Sequence, residues 1–396
     1  MGDPHVQVLG SALADVKASP SSGKVEIVLG SDEHAALTRA FFREVWPSDT
    51  ESPAPREASS ESASAGPSPA RSPSSLAILD DRVIGYLGTI PLRFWNGEVE
   101  QSGYWFKGFM VLPEYRNGPI GFALVKELSR HVPIGFVITV QPASWRLFKA
   151  IGLTHLGALE NRLRLLRPAC VFRKIDFDRL GISGTSRGVS TAVKVAQRIG
   201  VAGVGGMLVG GVLGAWSMLR GSQAKGIRAT VVDRIDRAEY DALWSRSRQR
   251  FQFAQVRDGE YVQRRFLSGG AYTLIEARDD ATLVGFGAVR RPRSEGDERL
   301  AGLVVAPLSD VFTPLDRTDA ALAILACAEK AARSLGADAL MCSASHPFLL
   351  SALSARAYLR VPPTLQFLAR VGKGESVGSI SDWWLLRADG NADEGF

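Results

Sequence analysis

The sequence contains few of the residues that build disulfide frameworks and metal sites. Only 3 of its 396 residues are cysteine, and 5 are histidine. Cys170, Cys327 and Cys342 show no C-x-x-C spacing, and no two histidines stand four residues apart. Structural zinc sites usually use close spacings of this kind, and a disulfide framework needs more cysteines than three. We therefore predict neither, and no metal site, as is typical of a protein from a reducing compartment.

Two kinds of segment are also missing. Residues 1–24 are small and polar and lack a basic start followed by an apolar run. They predict a flexible N-terminus rather than a secretory signal, and hence a cytoplasmic location. The net charge is +6 and the pI is near 9.3, yet the basic residues form no contiguous track. The charge suits anionic partners such as CoA, phosphorylated sugars, nucleic acid or an acidic membrane surface and does not choose among them. Without a basic track we expect no nucleic acid partner.

The chain does contain enough apolar residues for folded cores. Hydrophobic residues make up 45% of the sequence, and its length predicts about two or three domains. Residues 47–74 are an exception, because they consist mainly of Ser, Pro, Ala and Glu. Too few large apolar side chains remain there to offset the entropy of ordering. We predict a disordered insertion at 47–74.

Apolar runs and turn signals predict alternating strands and helices in the first half. The run from Ile134 to Val140 is almost continuously apolar, as expected of a strand covered on both faces. Together the patterns predict a mixed α/β sheet, with strands at 25–29, 76–79, 83–91, 104–112 and 134–140 and helices after Ser31, after Pro119 and from Ser144 to Gly152.

One stretch organises this half: residues 109–128 read FMVLPEYRNGPIGFALVKEL. Its first four residues predict a buried strand, which Pro113 ends. Pro119 stands at the start of a helix whose apolar residues recur at helical spacing. The loop amides at a helix N-terminus favour an anion, and Arg116 adds a positive charge, so the stretch predicts a phosphate site. The alternative is an ordinary connection with a surface arginine.

At these residues the sequence resembles the GNAT acyltransferase family. The family's pyrophosphate loop has the pattern Arg/Gln-x-x-Gly-x-Gly/Ala, which Arg116 and Gly121 match and in which Pro119 replaces the first glycine. Residues 147–153 lie in register with the family's Leu-Tyr-x-x-x-Gly-Phe. The resemblance implies acetyl-CoA, or another acyl-CoA, as cofactor. It assigns cofactor contacts to Met110, Val111, Leu112, Arg116, Asn117, Gly118, Pro119, Ile120, Gly121, Gln141, Ser144 and Phe148.

The residues that usually supply the acid and the base in this family are absent. The tyrosine position holds Phe148, and the base position falls near Trp105. A phenyl ring cannot donate a proton and an indole cannot accept one. The remaining candidates, each of which also suits a surface or structural role, are Tyr104, Glu98, Glu100, Glu114 and His155. We take Tyr104, Glu114 and His155 as the catalytic candidates.

A long apolar segment lies between the two halves. Residues 199–219 contain no charged residue and are bounded by Arg198 and Arg220. This length matches a bilayer span, whereas the basic residues on both flanks do not give the usual charge asymmetry. A spanning helix, a helix in the membrane surface and a buried interdomain helix therefore all remain open. Contact with a membrane surface through 199–219 is one expectation.

The second half repeats the organisation of the first. Strands are predicted at 271–277, 283–289, 300–305 and 339–344, with a long helix from Asp319 to Leu335. The sequence LVVAPLSDVFTPLDRTDAAL stands where a phosphate loop is expected and lacks its motif. We therefore predict two tandem GNAT-like domains, at 25–168 and 226–389, joined by 169–225 and followed by a tail at 390–396. Only the first is predicted to bind CoA.

The tandem arrangement resembles two-lobed bacterial GNAT proteins with envelope or exopolysaccharide functions, which implies an acceptor cleft between the lobes. Phe41 and Trp46 on the first helix are predicted to line it, with core packing as the alternative. Asp258, Arg264 and Arg265 are predicted to contact a polar acceptor, with solvated helix charges as the alternative.

The predicted function is acyl transfer from an acyl-CoA, with acetyl-CoA as the expected donor. The acceptor is expected to be an amine or hydroxyl of a small metabolite, sugar or envelope precursor. The alternative is a non-catalytic GNAT-like protein that binds CoA or a partner and acts as a membrane-associated scaffold. Aminoacyl transfer from charged tRNA is a third hypothesis, which requires a basic track.

Overall fold

The structure is a computed structural model that describes residues 24–45, 72–139, 142–174, 198, 202–221, 226–292, 300–372 and 374–393. Residues 1–23 and most of the predicted insertion at 47–74 lie outside the described residues, and so do Trp46 and Gln141. The predictions for these residues stay predictions.

The first half contains the predicted strands and helices, followed by two strands and a helix that were not predicted, β6, β7 and α4. Its strands are β1 (Glu26–Leu29), β2 (Ser75–Leu79), β3 (Arg82–Trp95), β4 (Glu100–Val111), β5 (Gly135–Thr139), β6 (Thr154–Ala158) and β7 (Glu160–Leu165). Its helices are α1 (Ala35–Val45), α2 (Ile120–His131), α3 (Pro142–Ala150) and α4 (Pro168–Lys174).

A further helix, α5 (Ala202–Gly221), precedes the second half. The strands that follow are β8 (Ile227–Val232), β9 (Phe253–Gln255), β10 (Tyr272–Asp279), β11 (Thr282–Arg290), β12 (Val305–Phe312), β13 (Ala339–Ala344), β14 (Leu359–Val361), β15 (Gln366–Arg370) and β16 (Trp383–Trp384). The helices are α6 (Arg237–Ser247), α7 (Gly259–Val262), α8 (Thr318–Ser334) and α9 (Pro347–Ala355).

The predicted strand at 300–305 is wrong, because the strand of this region is β12. Pairing decides its position: β12 lies between β11 and β13, and its residues 308–312 pair with β11. Pro307 lies beyond the last β11 pair, so its missing N–H costs no bond on that side. Eight of the twenty residues expected to replace a phosphate loop are therefore the strand itself, and only residues 313–317 connect it to α8.

Two mixed sheets have the same strand order, which confirms the predicted mixed α/β class and the internal repeat. The first sheet runs β1-β2-β3-β4-β5-β15-β6, and the second runs β8-β10-β11-β12-β13-β7-β14. In each, the fourth and fifth strands are parallel. β9 and β16 extend the first sheet from β3.

Each sheet contains one strand from the other half of the chain. β7 lies between β13 and β14 of the second sheet, and β15 lies between β5 and β6 of the first. The chain crosses between sheets at Leu159 and crosses back at 362–365, and the Leu159 N–H donates to Leu365 O at 2.9 Å. The Asn161 side chain adds a hydrogen bond to Pro362 O at 2.9 Å. The halves repeat one fold, but each is incomplete without the other.

Separate cores cover the two faces of the first sheet. On one face, Leu124 and Leu128 of α2 pack with Phe106 and Phe148. On the other face, Phe94, Trp105 and Phe367 pack against Trp383 and Leu385 near the chain end. The C-terminal segment is therefore part of the body of the protein, and Asp393 is fully buried. The second lobe extends past the predicted limit at residue 389 into the predicted tail.

The apolar segment at 199–219 forms most of α5, which lies against α4. Its outward side is open, since Leu208 and Val212 are each 70% exposed. Buried packing on all sides is therefore wrong for this helix. Among the described residues, no helix is both long and apolar enough to cross a membrane.

We predict that residues 25–168 do not fold by themselves. Without β15, strands β5 and β6 lose the partner between them, and β7 has no sheet to join. The isolated fragment is expected to show no cooperative thermal transition by circular dichroism. Coexpression with residues 226–396 is expected to restore one. A cooperative transition in the isolated fragment would show that the first domain is independent.

Candidate functional site

The first sheet opens between β4 and β5. These parallel strands pair only at Tyr104 with Gly135 and at Trp105 with Phe136. β4 nevertheless continues to Val111, and a register irregularity with Gly108 at φ +70° interrupts its pairing with β3. Bulges of this kind bend a strand and re-aim its backbone groups. The two strands therefore separate toward their carboxyl ends, and a cleft begins there.

A backbone amide near the end of β4 faces this cleft. The Leu112 N–H donates to Ile84 O of β3 at 2.9 Å. Successive residues of a strand direct their N–H groups to opposite edges. The Val111 N–H therefore faces away from β3, toward the cleft. On the same edge, Arg116 Nε donates to Val111 O at 2.9 Å, which ties the following loop to the strand.

The loop after β4 leads into an uncapped helix N-terminus. Residues 113–115 form a turn of 3-10 helix, and Asn117 adopts φ +69°. Pro119 is the N-cap of α2, and no side chain caps the helix. The Ala123 N–H donates to Pro119 O, so the three preceding amides, of Ile120, Gly121 and Phe122, lack intrahelical acceptors.

This arrangement suits a phosphate group. Three convergent amides and the positive end of a 12-residue helix favour an anion. Gly118 leaves the approach open, because a Cβ there would meet only Tyr115 O, at 3.6 Å. The Arg116 side chain is exposed beside it. The residues present therefore fit the pyrophosphate of an acyl-CoA, even though Pro119 removes one donor.

Aromatic side chains form the inner wall below the loop. The Phe148 ring lies 5.2 Å from Phe106 and 6.2 Å from Phe109, measured between centroids. Phe148 is only 2% exposed. Gly121 is closely packed here, since a Cβ would lie 3.2 Å from Phe109. The family's tyrosine position is thus part of the core and carries no titratable group.

The equivalent opening in the second sheet is filled by the chain's own C-terminal segment. β12 pairs with β13 only as far as Leu308 with Cys342. Beyond that point Leu386 bridges to Ala344, and the Ala388 N–H donates to Ser309 O at 2.9 Å. The backbone of 385–388 occupies the space between the two strands. The second copy therefore has neither a phosphate loop nor an open cleft.

A buried charge cluster holds this segment in place. Arg257 is fully buried, and its guanidinium contacts Asp310 at 3.0 Å and Asp389 at 2.9 Å. Tyr261 donates its hydroxyl proton to the same Asp310 at 3.1 Å. Burial raises the pKa of Asp389 to about 6, although Arg257 and the Leu386 N–H oppose the shift. Closing the second cleft thus buries a carboxyl whose pKa is raised.

The catalytic candidates do not converge on the first cleft. Tyr104 lies in the first half of β4, seven residues and roughly 20 Å from Val111 along the strand. His155 is on β6, three strands from β4, where its ring stacks on Trp145 and contacts Gln366 Oε1 at 2.9 Å. Glu114 lies in the loop itself, is exposed, and pairs weakly with Arg82 at 3.7 Å. Of the three, only Glu114 is beside the cleft.

The predicted acceptor residues are dispersed. Phe41 is 2% exposed and belongs to the core under α1. Asp258 caps α7 and accepts from Arg93 at 2.7 Å. Arg265 pairs with the buried Asp393. Arg264 is exposed, and its guanidinium lies 3.9 Å from Glu260. Their roles as acceptor contacts stay predictions, as do the cofactor contacts of Met110, Leu112, Asn117 and Ser144.

Sequence reasoning missed the role of the chain end. The apolar sequence Trp383-Trp384-Leu385-Leu386 follows a polar stretch and indicates a buried segment. This pattern is the signal that could have revealed the role of the chain end. Gly390 then lies over the Trp105 ring, with a Cβ position 3.1 Å away. Trp105 donates its indole N–H to Gln255 Oε1 at 2.9 Å. The family's base position is therefore covered by the C-terminal segment.

Comparisons with known proteins give no family for this chain. No family model matches it, and neither does any curated protein. Solved structures similar to it include a probable N-acyltransferase from Enterococcus faecalis V583, at 9% identity over 87% of this chain and 72% of that chain, with a TM-score of 0.49. At these values the similarity assigns no activity.

Two further similar structures bear acyltransferase names. One is Saccharomyces cerevisiae N-myristoyltransferase with bound myristoyl-CoA, at 13% identity over 75% of this chain and 70% of that chain, with a TM-score of 0.48. The other is a GCN5-related N-acetyltransferase from Kribbella flavida, at 14% identity over 75% of this chain and 59% of that chain, with a TM-score of 0.44. Function has to be argued from the site.

The raised pKa of Asp389 predicts an unusual pH dependence of stability. Between about pH 4 and pH 6 the folded protein holds a proton on Asp389 that the unfolded chain has released. The contribution of Asp389 to the free energy of unfolding must therefore fall as pH rises through this window. In Asp389→Asn the titration is absent, so the stability of wild type relative to this variant should decrease from pH 4 to pH 6 in urea unfolding.

Asp319→Asn is the control, with the opposite sign. Hydrogen bonds from Arg317 hold the pKa of Asp319 below its ordinary value. Its contribution is present above the unfolded pKa and is lost as pH falls through the folded pKa. The stability of wild type relative to Asp319→Asn should therefore rise with pH. A rise with pH for Asp389→Asn as well would contradict the assignment of a protonated, buried Asp389.

Proposed function

We propose that this protein is an acyltransferase that takes its acyl group from an acyl-CoA, with acetyl-CoA as the first donor to test. The observation that carries the proposal is the combination of a split between two parallel strands and an uncapped helix N-terminus at the same end of the first sheet. The acceptor class is an amine or hydroxyl of a small metabolite, sugar or envelope precursor, in the cytoplasm.

The loop and α2 would hold the pyrophosphate. The amides of Ile120, Gly121 and Phe122 are available as donors, and Arg116 places a positive charge beside them. Because Arg116 is tied to the end of β4 at Val111 O, the same side chain sets the position of the phosphate site relative to the strand edge. The pantetheine arm would then extend along β4 into the cleft.

The protein's contribution to the chemistry is mainly positional and electrostatic. When bound, an acyl-CoA supplies an acyl group activated as a thioester. The Val111 N–H faces the cleft and would donate to a carbonyl oxygen at this edge, where a fixed donor stabilises developing negative charge. Holding donor and acceptor together contributes several further kcal/mol by removing the entropy cost of their encounter.

Proton transfer has little support from the described side chains of the cleft. Phe148 is buried among phenyl rings, and the Trp105 indole is engaged with Gln255. Glu114 is the carboxylate nearest to the loop. An acceptor amine would therefore enter largely as its free base, and the rate would rise with pH as the acceptor loses its proton.

The same observation favours a second candidate, a protein that binds an acyl-CoA without turnover and serves as a scaffold. Release of free thiol from acetyl-CoA, followed with a panel of amine and hydroxyl acceptors, separates the two. Acceptor-dependent release supports the transferase. Tight binding with no release for any acceptor supports the scaffold, and Phe148→Tyr would then test whether a hydroxyl at this position supplies the missing acid.

We predict that Arg116→Glu weakens acetyl-CoA binding by at least about tenfold. The change replaces the positive charge beside the helix N-terminus with a negative one, and a charge-assisted phosphate contact contributes roughly 1.5–3 kcal/mol. Isothermal titration calorimetry measures the dissociation constant directly.

Arg130→Glu is the matched control, because it makes the same charge change on the last turn of α2, about 15 Å from the loop. It should bind acetyl-CoA within about twofold of wild type, since the charge at this distance is largely screened. Equal binding by wild type and Arg116→Glu would refute the assignment of the loop. Undetectable binding of acetyl-, octanoyl- and palmitoyl-CoA by wild type would refute the proposed cofactor.

A further inference from the structure

A cavity of about 340 Å³ lies between β7, α4, α5 and the end of α8. Small-molecule sites in proteins start at about 300 Å³. One wall of the cavity is apolar and is formed by α4 and the glycine side of α5, with Met207 and Gly210 among its residues. The other wall is cationic and is formed by Arg164, Arg167 and Arg333. The cavity therefore offers both an apolar surface and positive charge.

Arg164 is the buried member of the cationic wall, and its guanidinium is poorly paired. The residue is 5% exposed. Among the residues that the structure describes, its Nε has no hydrogen-bond partner, and its Nη1 donates to Ala357 O at the long distance of 3.4 Å. A buried N–H without an acceptor costs free energy, so such groups are normally satisfied. The poor pairing of Arg164 therefore points to an acceptor inside the cavity.

The carboxylate beside Arg164 is shared with a second arginine. An oxygen of Glu329 lies 3.4 Å from Arg164 Nε. Arg356 donates to both oxygens of the same carboxylate, from Nε at 3.1 Å and from Nη2 at 2.8 Å. Two guanidinium cations thus share one carboxylate, which leaves a net charge of +1. One negative charge in the cavity would balance it, and the guanidinium fork matches the geometry of a carboxylate.

The other two arginines mark the mouth of the cavity, because both are exposed. Arg167 donates to the backbone carbonyls of Gly336 and Arg333, each at 3.3 Å, and so ties the end of α8 to the start of α4. Positive charge at the mouth of a cleft raises the local concentration of anions. An anionic ligand would therefore be attracted toward Arg164.

The apolar wall leaves room for a hydrocarbon chain. A Cβ on Gly210 would lie 3.0 Å from Pro168 Cγ, so α4 and α5 are in contact at this point. One turn further along α5, a Cβ on Gly214 would meet no atom within 4 Å. Because Gly214 also lines the cavity, the cavity extends along α5 to this residue. Apolar ligand groups are favoured against a wall of this kind.

We propose that this cavity binds a carboxylate with a hydrocarbon chain of medium length, that is, a medium-chain fatty acid. The carboxylate contacts the guanidinium of Arg164, and the chain lies along the apolar wall beside Gly210 and Gly214. The proposal is independent of the acyl-transfer proposal, since the residues involved belong to β7, α4, α5 and the end of α8 rather than to the first cleft.

Isothermal titration calorimetry of the full chain with sodium octanoate tests the proposal. The expected dissociation constant lies below about 1 mM. 1-Octanol has the same chain without the charge and should bind at least about tenfold more weakly, because the contact with a buried cation is lost. Acetate has the charge without the chain and should also bind at least about tenfold more weakly. Undetectable binding of octanoate, or equal binding of octanoate and 1-octanol, would overturn the proposal.

Gly214→Leu tests the position of the chain. The new side chain would fill the apolar part of the cavity and should weaken octanoate binding at least about tenfold. The variant should fold, because the Cβ meets no atom within 4 Å and leucine favours a helix over glycine. Gly211→Leu is the matched control, since Gly211 is exposed and its Cβ also meets no atom within 4 Å. It should bind within about twofold of wild type. Equal octanoate binding by the two variants would contradict the assignment of the cavity.

Arg164→Gln tests the position of the carboxylate. It should weaken octanoate binding at least about tenfold and leave 1-octanol binding within about twofold of wild type, because only the charged contact is removed. A purely structural role of Arg164 would affect both ligands alike. Arg360→Gln is the control, because it removes a guanidinium that is 69% exposed on β14, and it should change neither affinity. Unchanged octanoate binding by Arg164→Gln would overturn the proposal, and the Gly214 and Gly211 pair decides if Arg164→Gln does not fold.

Discussion

A single residue, Leu159, separates a strand of the first sheet from a strand of the second, and its N–H donates to Leu365 O where the chain crosses back. This crossing fixes the rest of the structure. β7 completes the second sheet and β15 completes the first, so we expect the two sheets to form together. The two copies of the fold share strands and make one body.

The crossing also explains why the two copies differ. After β15 the chain has to run back across the second lobe, and residues 385–388 enter the opening between β12 and β13. The charges of Arg257, Asp310 and Asp389 meet behind this segment in a fully buried cluster. Removing one member of such a cluster leaves an unpaired buried charge and is strongly destabilising. The second cleft is closed by a feature that the fold needs, and only the first remains open for a ligand.

Local signals in the sequence were sufficient for strands β1 to β5 and helices α1 to α3. The residues Asp80 and Asp81 both tolerate positive φ and form the turn between β2 and β3, and Pro113 and Pro119 bound the loop before α2. Local signals could not place strand β12, because Pro307 and Asp310 break its apolar pattern. Pro307 is tolerated because it lies outside the pairing with β11, and Asp310 is tolerated because it pairs with Arg257. The strand exchange left no local signal at all, since the partners of β7 lie far along the chain. The catalytic candidates failed to converge for a similar reason. A resemblance in sequence shows where residues lie along the chain, whereas their distance in space depends on which strands are neighbours in the sheet.

We propose that the first cleft binds an acyl-CoA, whereas the equivalent cleft of the second sheet is filled by the chain itself. Hydrogen–deuterium exchange with and without saturating acetyl-CoA tests this most directly, because it reads both clefts in one experiment. Slower exchange is expected at residues 107–124, where the loop amides and the Val111 N–H would acquire acceptors. No change is expected at 305–313 or 383–393. Protection of these second-lobe residues, with none at the loop, would contradict the account.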